Sequence, residues 1–134
     1  MNNQANNFMV RWYDELWNNE NESTIHEMLH PGAKAFGLGA ELVVGPDEFK
    51  IFYREFKSAY FNIKVTVDKT FSNGSYEIAL CTVNAVHNET GKPVCFTGTS
   101  IAEVENGRMI KAWNHFDFLG LNIQTGKIKP EWLV

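Results

Sequence analysis

The hydrophobic period of the chain changes near residue 60, and this change constrains the fold more than any other feature of the sequence. Before it, apolar residues recur at helical spacing, as they do in amphipathic helices. After it, Ile63, Val65 and Val67 alternate with polar residues, as in half-buried strands. Helices followed by strands, without βαβ alternation, predict an α+β domain.

Three helices are predicted in the first half of the chain. The first carries a stripe formed by Phe8, Trp12 and Leu16. The second covers residues 24–30 and is ended by a Pro-Gly pair. The third begins at residues 45–48, where a proline and two acids suit the first turn of a helix. We expect one domain over 1–134, with a core at about 8–124 and tails at 1–7 and 125–134.

Turns divide the second half into a four-strand meander. Asn73-Gly74 and Asn106-Gly107 favour tight hairpins, because a type I′ turn needs positive φ at both central residues. A two-residue loop at 73–74 would send the alternating apolar residues after 60 to the outer face, whereas a bulge would turn them inward. Both alternatives stay open at this point.

The hairpin at Asn106-Gly107 also predicts a register. A two-residue loop pairs Glu105 with Arg108, and residues 89–90 treated likewise place Val83 beside Phe96. One face then carries a mainly apolar set: Ala79, Cys81, Val83, Phe96, Gly98, Ser100, Trp113, His115 and Asp117. The opposite face is mixed, with Leu80, Thr82, Thr97, Thr99, Ile101, Asn114 and Phe116.

Asp117 and His115 are the candidate catalytic residues. A carboxyl group on a face covered by aromatic helices loses hydration, which would raise its pKa toward the range useful in proton transfer. The alternative is that Asp117 caps a short helix beginning near Phe118 and that His115 is a satisfied, partly buried histidine. The predicted pocket wall consists of Trp113, Phe96, Ser100, Tyr13, Trp17, Phe52 and Phe56.

Charge and hydropathy exclude several classes of partner. The net charge is −4 and no basic run is present, which argues against a nucleic-acid binder. No apolar stretch reaches the ~20 residues that cross a bilayer, and the first residues lack the pattern of a secretory signal. We therefore predict a cytoplasmic protein in which Cys81 and Cys95 are free thiols.

Several segments taken together resemble the SnoaL-like polyketide cyclase group of the nuclear transport factor 2-like superfamily. They are residues 11–18 (RWYDELWN), 27–31 (EMLHP), 45–49 (GPDEF), 90–94 (TGKPV), 96–98 (FTG), 106–110 (NGRMI) and 113–121 (WNHFDFLGL). The resemblance spans roughly residues 8–124.

The resemblance implies a cone in which three N-terminal helices pack on a strongly curved, mainly antiparallel sheet. It also implies ring closure without metal or cofactor, with Asp117 moving the proton and His115 either tuning Asp117 or holding the substrate. A cyclase, isomerase or lyase acting on a small apolar or polyaromatic carbonyl compound is the implied enzyme, and a homodimer is the implied assembly. A binding module that uses the same pocket without catalysis is the second hypothesis.

A zinc protease is the third hypothesis. His26-Glu27-Met28-Leu29-His30 matches H-E-x-x-H, whose histidines share one helix face and hold Zn²⁺ while the glutamate activates water. Pro31 cuts this helix directly after the second histidine, and no third ligand has a recognisable spacing. We therefore predict no metal site.

Overall fold

The structure, a computed structural model, describes residues 7–133. Three helical elements precede the long strands, and a fourth follows them. They are α1 (Phe8–Trp12), which continues as a π-helical segment (Tyr13–Asn18), α2 (Thr24–Met28), α3 (Gly45–Ala59) and α4 (Phe118–Gln124). A 3₁₀ turn (Pro130–Leu133) ends the described chain. Among the described helices, none has the length and apolar character to span a membrane.

Six strands form one curved, unclosed sheet in the order β2-β1-β6-β5-β4-β3. Their bounds are β1 (Leu29–Phe36), β2 (Val43–Val44), β3 (Tyr60–Asn73), β4 (Tyr76–His87), β5 (Pro93–Glu105) and β6 (Arg108–Phe116). β1 pairs with β6 in parallel, and every other pair is antiparallel. The predicted α+β class, with three N-terminal helices on a curved, mainly antiparallel sheet, is confirmed.

Local chemistry explains where the helices begin. The Asn7 side chain accepts hydrogen bonds from the backbone N–H groups of Met9 and Val10 and so caps α1. Gly45 adopts a φ of +78° at the start of α3, and a proline follows it in the first turn. The second helix ends two residues earlier than predicted, because the chain becomes extended at Leu29 and pairs with β6.

The register between β5 and β6 shifts by one residue near Ile110. Glu105 pairs with Arg108, as the turn predicts, but farther from the turn Ser100 pairs with Asn114. The bulge therefore places two residues of β6 where one was expected. Because side chains alternate along a strand, a shift of one residue exchanges the two faces beyond it.

The predicted inward face of β6 is wrong for this reason. Asn114 and Phe116 turn toward the helices and line the interior. The residues expected there, Trp113, His115 and Asp117, lie on the outer side of the sheet. In β3, by contrast, the open alternative resolves in favour of a bulge: the register shifts near Asp68 and brings Val65 opposite Val83 on the inner face.

The helices and the inner face of the sheet share one core. The helices contribute large side chains that are fully buried, including Met9, Leu16 and Met28. The central strands contribute small ones, including Ala79 and Ala102. Small residues on the sheet leave space between the two layers, and this space is the site described next.

Candidate functional site: an uncharged cavity inside the sheet

A cavity lies between the helices and the inner face of the sheet. Together with the open solvent at its mouth, the space there amounts to about 690 Å³. Nine of its nineteen lining residues are aromatic: Trp12, Tyr13, Trp17, Phe49, Phe52, Phe56, Phe96, Phe116 and Phe118. Within residues 7–133, none of the nineteen carries a charge.

Six of the nine residues predicted as site residues line this cavity. They are Tyr13, Trp17, Phe52, Phe56, Phe96 and Ser100. The helix stripes placed the first four correctly, and the confirmed pairing of Val83 with Phe96 placed the last two. Their role in binding a substrate stays a prediction.

Asp117 lies outside the cavity and caps α4. Its Oδ1 atom accepts a hydrogen bond of 2.8 Å from the backbone N–H of Gly120, and the residue is exposed. The predicted loss of hydration is therefore wrong, and the capping alternative describes the carboxyl group. His115 is also exposed, on the outer face of β6. Proton transfer by either residue remains a prediction without support from burial.

Trp113 belongs to an apolar row on the outer face. Its ring stacks on Phe36 at a centroid distance of 6.3 Å, and Lys111 lies over it at 5.9 Å. The register extends this row across the sheet through Ile101 and Ile78 to Phe71. The row is a surface feature and not part of the cavity wall.

The polar part of the cavity wall is a small hydrogen-bonded cluster. Ser100 Oγ lies 3.1 Å from Asn114 Oδ1, and Asn114 Nδ2 donates to the carbonyl oxygen of Phe36 at 3.0 Å. The Tyr13 hydroxyl lies near the Ser100 hydroxyl and the Cys81 thiol. Asn114 was missed from the sequence because the bulge that turns it inward has no clear signal of its own.

Burial keeps this cluster neutral. Desolvation raises the pKa of the Cys81 thiol to about 12 and also raises the pKa of the Tyr13 hydroxyl. Both groups are therefore protonated near pH 7. They act as hydrogen-bonding groups, since a thiolate or phenolate would need a pKa near or below the working pH.

The π-helical segment carries both Tyr13 and Trp17 on the cavity wall. The Asn18 side chain fixes its end to β3: Oδ1 accepts from Val65 N–H at 2.7 Å, and Nδ2 donates to Val65 C=O at 2.8 Å. The Tyr53 hydroxyl donates to the Leu16 carbonyl oxygen at 2.8 Å. Segments of π-helix often occur at functional sites, and here two side chains supply the hydrogen bonds that hold it.

The H-E-x-x-H hypothesis loses its structural premise. His26 is in α2, but His30 is in β1, so the two imidazoles do not share a helix face. His26 Nε2 lies 3.5 Å from an Asp47 carboxylate oxygen, and His30 Nδ1 accepts from the backbone N–H of Gly32. Across the part of the chain that the structure describes, no three potential metal-binding side chains come together.

Solved structures share this architecture. TsrD from Streptomyces laurentii superposes with a TM-score of 0.80 at 19% identity, over 93% of this chain and 96% of that chain. IdmH from Streptomyces antibioticus, provisionally assigned to the polyketide cyclases, gives 0.76 at 17% identity over 87% and 95%. An NTF2-like protein of unknown function from Burkholderia pseudomallei K96243 gives 0.78 at 20% identity over 92% and 98%. At these identities the similarity shows the fold.

The helices, the curved sheet and the cavity between them give the domain an NTF2-like fold. The sequence profile of the SnoaL-like polyketide cyclases matches residues 7–125, which is nearly the whole chain. The chain belongs to the SnoaL-like polyketide cyclase family. No curated protein matches its sequence.

Proposed function

We propose that the protein binds a small, neutral and mainly apolar molecule in the cavity inside the sheet. The observation that supports this is the wall itself, whose nineteen described residues include nine aromatic ones and none that is charged. Each Å² of apolar ligand surface removed from water contributes ~25 cal/mol, so a fused aromatic ring gains most of its affinity from the wall. A charged ligand group would lose hydration there without finding a partner of opposite charge.

Binding is better supported than the predicted acid–base catalysis. A cyclase, isomerase or lyase of the predicted kind needs a proton acceptor beside the substrate. The polar groups of the described wall are hydroxyls, an amide and indole N–H groups, while the Asp117 carboxylate caps a helix outside it. The family resemblance predicts that the ligand is a carbonyl compound, and the first experiment therefore uses one.

Isothermal titration calorimetry with 2-acetylnaphthalene and 2-naphthoate tests the proposal. We expect the neutral ketone to bind at least about tenfold more tightly than the anion, because only the anion must bring a charge into the cavity. The Val83→Trp variant fills the cavity and should abolish binding, whereas Thr82→Trp places the same ring on the outer face and should not. Asp117→Asn should leave the ketone affinity within about twofold.

Equal affinity for ketone and anion, or equal binding by Val83→Trp and Thr82→Trp, would refute this proposal. A large loss of ketone binding in Asp117→Asn, with the fold intact by circular dichroism, would instead restore the predicted role of Asp117 at the ligand. The calorimetric comparison thus separates a binding site in the cavity from one at the outer end of β6.

The homodimer implied by the family resemblance would use the outer apolar row. Phe36 and Phe71, at its two ends, are 37% and 52% exposed. A second copy covering this row would remove these rings and Trp113 from water. Sedimentation equilibrium should show a dimer for the wild type and a monomer for Trp113→Lys. A monomeric wild type would contradict the proposal.

The cytoplasmic location also stays a prediction, compatible with the free thiols of Cys81 and Cys95.

A further inference from the structure

Leu38 differs from the other residues of the cavity wall in the kind of structure that carries it. Of the nineteen wall residues within the described chain, it is the only one that lies in neither a helix nor a strand. It belongs to the loop between β1 and β2, residues 37–42, and it is half-buried, so it borders both the cavity and the solvent. One part of the wall is therefore a loop, while regular secondary structure holds the rest.

Both ends of this loop are attached to the rest of the domain. At the first end, the Phe36 carbonyl oxygen accepts from Asn114 Nδ2 at 3.0 Å. Gly37, with a φ of +83°, follows directly and packs on the Asn114 carbonyl oxygen so closely that a Cβ atom has no room. At the other end, β2 pairs with β1, and the Val44 N–H donates to the Glu48 carboxylate at 2.8 Å. Any movement of the loop is therefore confined to residues 38–42.

Residues 38–42 themselves are held loosely. Within residues 7–133, none of their backbone N–H or C=O groups pairs with another backbone group. Gly39 meets open space where a side chain would project, and Leu42 is 43% exposed. The Leu38 side chain, by contrast, packs against the core. Because an opening of this segment breaks no backbone hydrogen bond and exposes one apolar side chain, it requires little free energy.

We propose that residues 38–42 form a flap that opens to admit the ligand and closes over it, with Leu38 as the side chain that covers it. In the open state Leu38 leaves the wall and connects the cavity to the solvent. In the closed state Leu38 is buried on the apolar surface of the ligand, so a bound ligand favours closure. This inference rests on the proposed function and adds to it the route by which the ligand enters and leaves.

Stopped-flow mixing with 2-acetylnaphthalene tests the flap through the fluorescence of Trp12 and Trp17 on the cavity wall. Leu38→Ala shortens the covering side chain and should raise both the association and the dissociation rate constants by about fivefold or more, because the route stays open. A wall residue that only contacts the ligand would change mainly the dissociation rate constant. Leu42→Ala, in the same loop, removes an exposed side chain that is not on the wall and should leave both rate constants within about twofold of the wild type.

Proteolysis by the glutamate-specific protease Glu-C gives a second measurement that needs no change in the flap. Glu41 is exposed in a segment without backbone hydrogen bonds, so the free wild type should be cleaved after it. Saturating 2-acetylnaphthalene should slow this cleavage several-fold by holding the flap closed. The ligand should not slow cleavage of Val83→Trp, whose filled cavity does not bind it, and this control excludes an effect on the protease.

The outcomes separate this inference from the proposed function. Equal rate constants for Leu38→Ala and Leu42→Ala, or a change in the dissociation rate constant alone, would overturn the flap and leave the cavity as the binding site. Cleavage after Glu41 at the same rate with and without bound ligand would also overturn it. Failure of 2-acetylnaphthalene to bind the wild type would remove the proposed function and this inference with it.

Discussion

Replacing Gly98 by alanine should lower the free energy of unfolding by about 1–3 kcal/mol. A Cβ atom at Gly98 would lie 2.2 Å from Cδ2 of the Phe116 ring and 2.8 Å from the Phe116 Cα atom. The ring could rotate away, but the backbone contact requires β5 and β6 to separate. Urea unfolding followed by circular dichroism gives the change in free energy.

Gly39→Ala is the matched control. Apart from its two chain neighbours, no described residue comes within 4 Å of a Cβ placed at Gly39, so this substitution should change stability by less than about 0.5 kcal/mol. The comparison also reports on the register, because only a Phe116 side chain on the inner face covers Gly98. Equal stability of the two variants would mean that Phe116 lies elsewhere.

Replacing Asn18 by alanine should destabilise the protein by about 2 kcal/mol. The substitution removes both hydrogen bonds to the Val65 backbone and leaves a part-buried N–H and C=O without their partner. The end of the π-helical segment would also lose its attachment to β3. We therefore expect weaker binding of 2-acetylnaphthalene as well, because Trp17 is the preceding residue on the cavity wall.

Two variants make this result specific. Asn18→Asp can accept from Val65 N–H but sets a carboxylate oxygen against the Val65 carbonyl oxygen, to which Asn18 Nδ2 donates at 2.8 Å, so it should also be less stable than the wild type. Asn19→Ala removes only an exposed contact of 3.4 Å with Asp14 and should be close to the wild type. If Asn18→Ala proved as stable as Asn19→Ala, the attachment of the π-helical segment to β3 would be unimportant.

The sequence was sufficient to predict the order of elements and most of the cavity wall. Helical stripes place Tyr13, Trp17, Phe52 and Phe56 because burial of one face determines the helical period. The β4–β5 hairpin was predicted in register, with Val83 opposite Phe96, because its turn adds no irregularity to the flanking strands. These patterns depend on many residues, so a local irregularity does not erase them.

Which side chains of β6 face the cavity depends on one extra residue in the strand and could not be predicted in the same way. Ile110 adds a single position after a turn whose first pair was predicted correctly. Nothing in residues 108–118 distinguishes a regular strand from a bulged one, since both the odd-numbered and the even-numbered positions contain apolar and polar residues. The error placed Asp117 and His115 inside and Asn114 outside, so the sequence predicted a proton-transferring carboxyl group where the structure has neutral polar side chains.

Thiol labelling in the presence of ligand tests most directly whether Asn114 or His115 faces the cavity. The Asn114→Cys and His115→Cys variants would be made in a Cys95→Ser background, where Cys81 is 2% exposed and its pKa of about 12 makes it slow to react. We predict that saturating 2-acetylnaphthalene slows labelling of the Asn114→Cys variant several-fold and leaves the His115→Cys rate unchanged. Protection of the His115→Cys variant alone would contradict the bulge, the uncharged cavity and the function proposed for it.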